Sequence, residues 1–301
     1  MILFVRKHPL AIIGVLAVLC IGTIIIVGLS KKTVDQVAPT PVVPTKTPDA
    51  QMLPVHAIIG KSVEGRNIES YTYGNGKTHL LFVGGIHGGY EWNSVLLAYK
   101  FIDYLKENPT VIPKNLSIAI IPSANPDGVF RVTGKSGRFT ESDVTTTSLP
   151  DGAGRFNARN VDINRNFDCK WKPKSTWKTN IVSAGTHAFS EPEAVAVRNF
   201  VATFSPAAAI FWHSKSNAVY ASECESGILP VTLDIMNAYS VASGYKAIKS
   251  FDAYEISGDA EGWLASINVP AITVELKTHE TIEWENNLAG FNALLNYFKK
   301  Y

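Results

Sequence analysis

Cysteine is scarce in this chain, with Cys20, Cys169 and Cys224 the three in 301 residues. That is too thin for a small fold framed by disulfides, and neither Cys169 nor Cys224 shows zinc-knuckle spacing. The plain reading is two buried free thiols, though a pair in an external domain is also what one disulfide would look like. Excess charge of either sign is also missing: 28 Lys and Arg stand against 26 Asp and Glu, a net charge of +2. Four of the basic residues, Arg6, Lys7, Lys31 and Lys32, flank one apolar run, and the remainder is close to neutral. The chain therefore has no footprint for nucleic acid. No internal repeat is visible. With 46% hydrophobic residues, the length suffices for one large domain or two small ones with a sizeable core.

What is present first is an uncharged, mostly apolar run from Pro9 to Ser30, long enough to span a bilayer. Its apolar core of about twenty residues exceeds the 7–15 of a signal peptide, and no small-residue cleavage site follows cleanly. Leu19, where a lipoprotein would carry a small residue, argues against lipidation at Cys20. The reading is a short tail over residues 1–8, a transmembrane helix over 9–30 and a Pro-rich spacer over 31–54, with Pro39, Pro41, Pro44, Pro48 and Pro54 too closely spaced for a helix or central strand. Flanking charges are nearly balanced and do not set the orientation.

Beyond the spacer, a turn-rich Gly60–Ile68 leads to a strand over Glu69–Tyr73. Gly74-Asn75-Gly76 predicts a hairpin into the next strand. Leu80, Leu81, Phe82 and Val83 are continuously apolar, as a strand buried on both faces must be, and Gly84 and Gly85 allow a tight turn at its end. Trp92, Val95, Leu96, Tyr99 and Ile102 follow at helical spacing. Leu116–Ile121 reads as another strand, and Asn125-Pro126-Asp127-Gly128 as a turn. From there to about Phe189 no periodicity is sustained, which in a compact domain marks a functional stretch. Ser190 to Glu193 resembles a capping box opening a helix. Strands over Ala207–Trp212 and Pro270–Leu276 and helices over Leu229–Ser243 and Trp284–Phe298 complete an α/β domain with a largely parallel sheet.

Two of these buried strands run directly into histidine, at His87 and His213, so parallel strands would deliver both imidazoles to one edge of the sheet. Glu91, at a helix start, supplies a carboxylate. Two histidines and a glutamate are a donor set for catalytic zinc, which keeps a further position for water. Each residue alone reads as structural, Glu91 as a complement to a helix dipole.

The motifs agree, in order, with a known family. Gly60 to Ile68 is similar to a Gly-x-Ser-x-Glu-Gly-Arg element, Gly85-Ile86-His87 through Glu91 to a first zinc motif, and Asn125 to Gly128 to the turn after it. Val161 to Phe167 is similar to a substrate-carboxylate motif, Phe211-Trp212-His213-Ser214 to a second zinc motif, and Thr273 to Leu276 to the strand of a catalytic glutamate. From about Val55 onward the chain resembles the M14 zinc carboxypeptidases. The resemblance implies a single α/β domain over residues 55–301, with a mixed, largely parallel central sheet flanked by helices.

It also implies one Zn2+ held by His87, Glu91 and His213, which would lower the pKa of its water toward about 7 and polarise the scissile carbonyl. Glu275 would be the general base and Arg155 the oxyanion donor, with Arg159 close by in sequence. Asn164 and Arg165 would hold the terminal carboxylate of a peptide, and Tyr254 would close over it. Counting from Trp263 places Glu261, with Asp259 nearby, deep in the pocket for the terminal side chain. That predicts a preference for lysine, arginine or an amine-bearing residue such as diaminopimelate. The competing reading puts both acids in the first turn of a helix.

One departure is plain. Three residues separate His87 from Glu91 where the family usually has two, and its intervening arginine is missing; a bulge at Gly88-Gly89 would restore the geometry. The sequence thus predicts a membrane-anchored carboxypeptidase with its catalytic domain outside the cytoplasm and Cys169 joined to Cys224. A deacylase or amidase on the same fold, or an inactive binding module, are the alternatives.

Overall fold

In a computed structural model, which describes residues 54–145 and 150–300, the chain opens with strands β1 (Val55–Lys61), β2 (Asn67–Gly74) and β3 (Thr78–Val83). Helix α1 (Trp92–Glu107), β4 (Leu116–Ile121), α2 (Pro126–Thr133) and a small hairpin of β5 (Lys174–Trp177) and β6 (Asn180–Ser183) come next. Then follow α3 (Pro192–Phe204), β7 (Ala208–Ser214), β8 (Ala218–Ala221), α4 (Pro230–Ser243), β9 (Lys246–Ile248), α5 (Ala260–Ser266), β10 (Ala271–Leu276) and α6 (Trp284–Phe298).

The main sheet has eight strands in the order β1-β2-β4-β3-β7-β10-β8-β9. Its centre, β4 to β10, is parallel, and antiparallel joins at β2/β4 and β10/β8 make it mixed. Period-two alternation sends Leu80 and Phe82 to a cluster with α1, α4 and α6, and Leu81 and Val83 to a second cluster with α3 and α5. Both faces are covered, which is why these strands are apolar throughout.

The expected hairpin at Gly74–Gly76 does not form, because β4 lies between β2 and β3 and pairs with both. Gly76 serves close approach instead: a Cβ there would stand 1.9 Å from the Asn115 carbonyl carbon. The expected turn at Asn125–Gly128 is the start of α2. Asn125 caps it by accepting from the Gly128 N–H (2.9 Å), and Pro126 occupies its first turn, where a missing N–H costs nothing. The capping box at Ser190 is not made, since Glu193 accepts from the Val63 N–H (3.0 Å) and Asn157 Nδ2 (3.2 Å). The expected transmembrane helix over 9–30 lies outside the described residues, as does the spacer up to residue 53. Among the described residues no helix is long and apolar enough to cross a membrane.

Candidate active site

The chain leaves β3 toward β4 on one side and returns to place β7 on the other, so the winding direction changes between β3 and β7. In open α/β sheets the crevice beyond the strand ends at such a point is the place for ligands. His87 follows β3 and His213 lies near the end of β7, so topology alone puts both imidazoles there. On β10, Glu275 is the register partner of His213.

Both imidazoles and the Glu91 carboxylate are buried, and their donor atoms lie within 4.8 Å of one another. His87 Nδ1 is 2.8 Å from Glu91 Oε1 and 3.2 Å from His213 Nδ1. Glu91 Oε2 lies 3.0 Å from His213 Nδ1 without the alignment of a hydrogen bond. Two imidazole nitrogens and a carboxylate converging on one point, rather than pairing off, fit a zinc ion by number and type. The extra residue between His87 and Glu91 is absorbed by a 3-10 turn over Gly88–Glu91, entered through Gly88 at φ +47°. A Cβ on Gly88 would meet the Gly154 carbonyl oxygen at 2.6 Å, so the same glycine lets the Arg155 loop close over the site.

Behind the donors stands Asp162, whose role the sequence left unassigned although it lies within the motif of Asn164. It faces His87 Nε2 at 3.6 Å and accepts from Arg155 Nε (3.1 Å) and Nη2 (2.8 Å). Arg155 also lies over the Trp177 ring at 4.7 Å, and its Nη1 is 3.9 Å from Glu91 Oε1. Arg159 lies away from the cavity, 3.5 Å from Glu191. The Gly60–Ile68 element does not reach the site. It is a brace, with Ser62 Oγ donating to Asp127 (2.6 Å) beside Arg66 Nη1 (2.7 Å).

A cavity of about 330 Å3 opens onto the donors. Arg155, Asn164, Arg165, Tyr254, Asp259, Glu261 and Glu275 line it, so it gathers the expected residues, with Thr273 added. Arg165 donates Nε and Nη2 to the Thr176 carbonyl and Nη1 to that of Asn164, leaving one N–H on each terminal nitrogen for a ligand. Asn164 Oδ1 accepts from the Ala260 N–H (2.8 Å), tying this motif to α5. Asp259 caps α5 through the Gly262 N–H (2.7 Å) and Glu261 lies in its first turn, so both acids stand at the helix start, and both also line the cavity. Cys169 and Cys224 are joined at the rim, with Cα atoms 6.1 Å apart.

Burial alone would raise the Glu91 carboxyl, but His87 and His213 outweigh it and hold it well below the usual range. Asp162 is held low in the same way, against burial, by Arg155 and Arg165. Burial works against charge on His213 too, yet Glu91 and Glu261 push it well above the ordinary histidine value. Glu275 goes the other way: burial and the charge of Glu91 raise it to about 8. Its Oε2 is buried without a hydrogen-bond partner. One proton-holding carboxylate beside a low one is an arrangement for proton transfer at neutral pH.

The fold and the donor set are those of a mononuclear metal site on an open α/β sheet. The chain belongs to the zinc carboxypeptidase family, Peptidase M14, which it matches over residues 51–299. It is 25% identical to carboxypeptidase D of Drosophila melanogaster over 79% of this chain, and spans only 19% of that protein's length. The fold is similar to that of thrombin activatable fibrinolysis inhibitor, with TM-score 0.66, 20% identity, and 82% of this chain and 70% of the other covered. It is also similar to the murein-tripeptide amidase of Escherichia coli O157, with TM-score 0.58, 20% identity, and 85% and 97% covered.

Proposed function

We propose that this protein is a membrane-anchored, zinc-dependent metallocarboxypeptidase that removes the terminal residue of peptides, with cell-wall peptides as candidate substrates. The observation that carries the reading is the convergence of His87, Glu91 and His213, with both histidines lining one cavity together with Glu275, Arg155 and Arg165. Zinc bound at these donors would supply Lewis acidity and lower the pKa of water toward about 7. Glu275, which lines the same cavity, takes the proton of the attacking water and passes it to the leaving amine; zinc nearby would favour the charged carboxylate that this role needs. Arg155, braced by Asp162 and Trp177, donates to the oxygen on which charge develops. The two unspent N–H groups of Arg165, with Asn164, receive the terminal carboxylate, and Tyr254 covers it from the rim.

Buried acids at Glu261 and Asp259 support a preference for a terminal cation: lysine, arginine or a diamino acid. The murein-tripeptide amidase fold neighbour makes a cell-wall peptide the first to test. The anchor rests on the apolar run over residues 9–30.

Zinc analysis should find one ion per chain in the wild type and loss of stoichiometric zinc in His87→Ala, Glu91→Ala and His213→Ala, since two protein ligands hold zinc poorly. Retention by Glu91→Ala would remove Glu91 from the site. Peptides ending in lysine should be cleaved faster than those ending in phenylalanine, and Glu275→Gln should abolish both cleavages with zinc retained. A Glu275→Gln protein as active as the wild type would overturn the mechanism. Activity confined to peptide amides would favour the amidase reading.

A further inference from the structure

His213 turns Nδ1 toward the metal donors, where Glu91 Oε2 lies at 3.0 Å and His87 Nδ1 at 3.2 Å. Its other nitrogen, Nε2, is 3.1 Å from Glu261 Oε1. The same oxygen accepts from Thr273 Oγ1 at 2.8 Å. Glu261 is 3% exposed, and so is not a free acid at the pocket floor: one of its two oxygens is already committed behind the metal site.

We infer that Glu261 is a positioning residue for the zinc ligand His213, holding its imidazole by Nε2 so that Nδ1 is presented to the metal. The inference rests on the zinc reading above. A neutral imidazole that gives Nδ1 to a metal carries its proton on Nε2, and a carboxylate accepting that proton fixes both the tautomer and the ring plane. Three contacts set where the carboxylate sits. Asp259 caps α5 through Gly262, Asn164 holds the Ala260 N–H, and Thr273, on the same face of β10 as Glu275, reaches Glu261 from the sheet. His87 Nε2 faces the Asp162 carboxylate at 3.6 Å without a hydrogen bond, so His213 is the histidine held by a direct carboxylate contact.

Glu261 Oε2 is buried without a hydrogen-bond partner, although the carboxylate lines the cavity.

The test measures zinc affinity by competition with a chromogenic chelator for wild type, Glu261→Gln and Thr273→Val. It adds the visible spectrum of the cobalt-substituted proteins and kcat and KM on peptides ending in lysine and phenylalanine. Glu261→Gln is expected to bind zinc about 10-fold or more weakly, within the range that loss of a carboxylate behind a metal histidine produces. Its cobalt spectrum should shift, and kcat should fall on both peptides. Thr273→Val keeps the side-chain volume, leaves Glu261 with one partner fewer, and should weaken zinc by a smaller factor; it decides the matter if Glu261→Gln does not fold. Wild-type zinc affinity and cobalt spectrum in the folded variants, with only the lysine preference altered, would overturn the inference while leaving the zinc enzyme intact. A wild type that binds no zinc would overturn the zinc reading itself.

Discussion

Glu275 is a carboxyl group placed where its charge is unwelcome, buried and facing the charge of Glu91, with His213 and Arg155 offsetting only part of this. Its folded value of about 8 lies above the ordinary 4.5, so protonation favours the fold. The stability this contributes is complete below about pH 4.5 and is lost as pH rises through about 8. In protein stripped of metal, the melting temperature of wild type should therefore fall relative to that of Glu275→Gln between about pH 5 and 8. The corresponding difference in unfolding free energy should amount to a few kcal/mol, since one pKa unit is about 1.4 kcal/mol. Parallel melting curves for the two would show that Glu275 titrates normally. Added zinc should narrow the gap, because a dication beside the carboxylate favours its charged form. The chemistry of this residue was legible in the sequence only through its motif, since a glutamate near a strand end looks like any solvated acid. Asp162 sat inside a motif too, but its work behind His87 and Arg155 depends on a distance no spacing encodes.

The element that does most for the site is the turn between β3 and α1. Gly88 takes φ +47°, and its Cα face is occupied by the carbonyl oxygens of Gly154 and Asn125, which a Cβ would meet at 2.6 and 2.9 Å. Gly88→Ala should thus be strained in its own backbone and should push the Gly154 loop, with Arg155, away from the donors. A loss of about 1–3 kcal/mol in denaturant stability is expected, together with weaker zinc binding. Unchanged stability and zinc affinity would mean the loops do not approach as closely as described. The strands β3, β7 and β10 and helix α6 were legible because their burial is written in continuous apolar runs or a regular stripe. The short α2 was not, since Asn-Pro starts a turn and a helix with the same two residues and only the later packing of Val129 and Val132 decides. The β5–β6 hairpin stayed hidden for a related reason: four-residue strands carry too little periodicity to register.

At the scale of the molecule, the parallel centre followed from alternating strands and helices, but the insertion of β4 between β2 and β3 is a non-local choice that local turn residues misrepresented. What locks the long irregular stretch onto this sheet is a set of contacts far apart in sequence. The Phe167 N–H donates to the Gly258 carbonyl (2.8 Å), the Gly258 N–H donates to that of Cys169 (2.7 Å), and Cys169 is bonded to Cys224 across 55 residues. The disulfide thus fastens the segment that carries Asn164 and Arg165 to the chain beyond β8, beside the cavity. Its loss should cost about 2–4 kcal/mol and loosen Arg165 and Tyr254 before it unfolds the sheet. Reduction should accordingly raise KM for peptides more than it lowers zinc content. Such a bond persists in an oxidising compartment, which agrees with the proposed anchor and with the proposal that the catalytic domain lies outside the cytoplasm. Protein taken from its native membranes, alkylated at once and digested without reductant, should yield a linked peptide containing Cys169 and Cys224. Protease added to intact cells should release the domain from the membrane fraction. Two alkylated thiols, or a domain protected until the cells are broken, would place it on the cytoplasmic side.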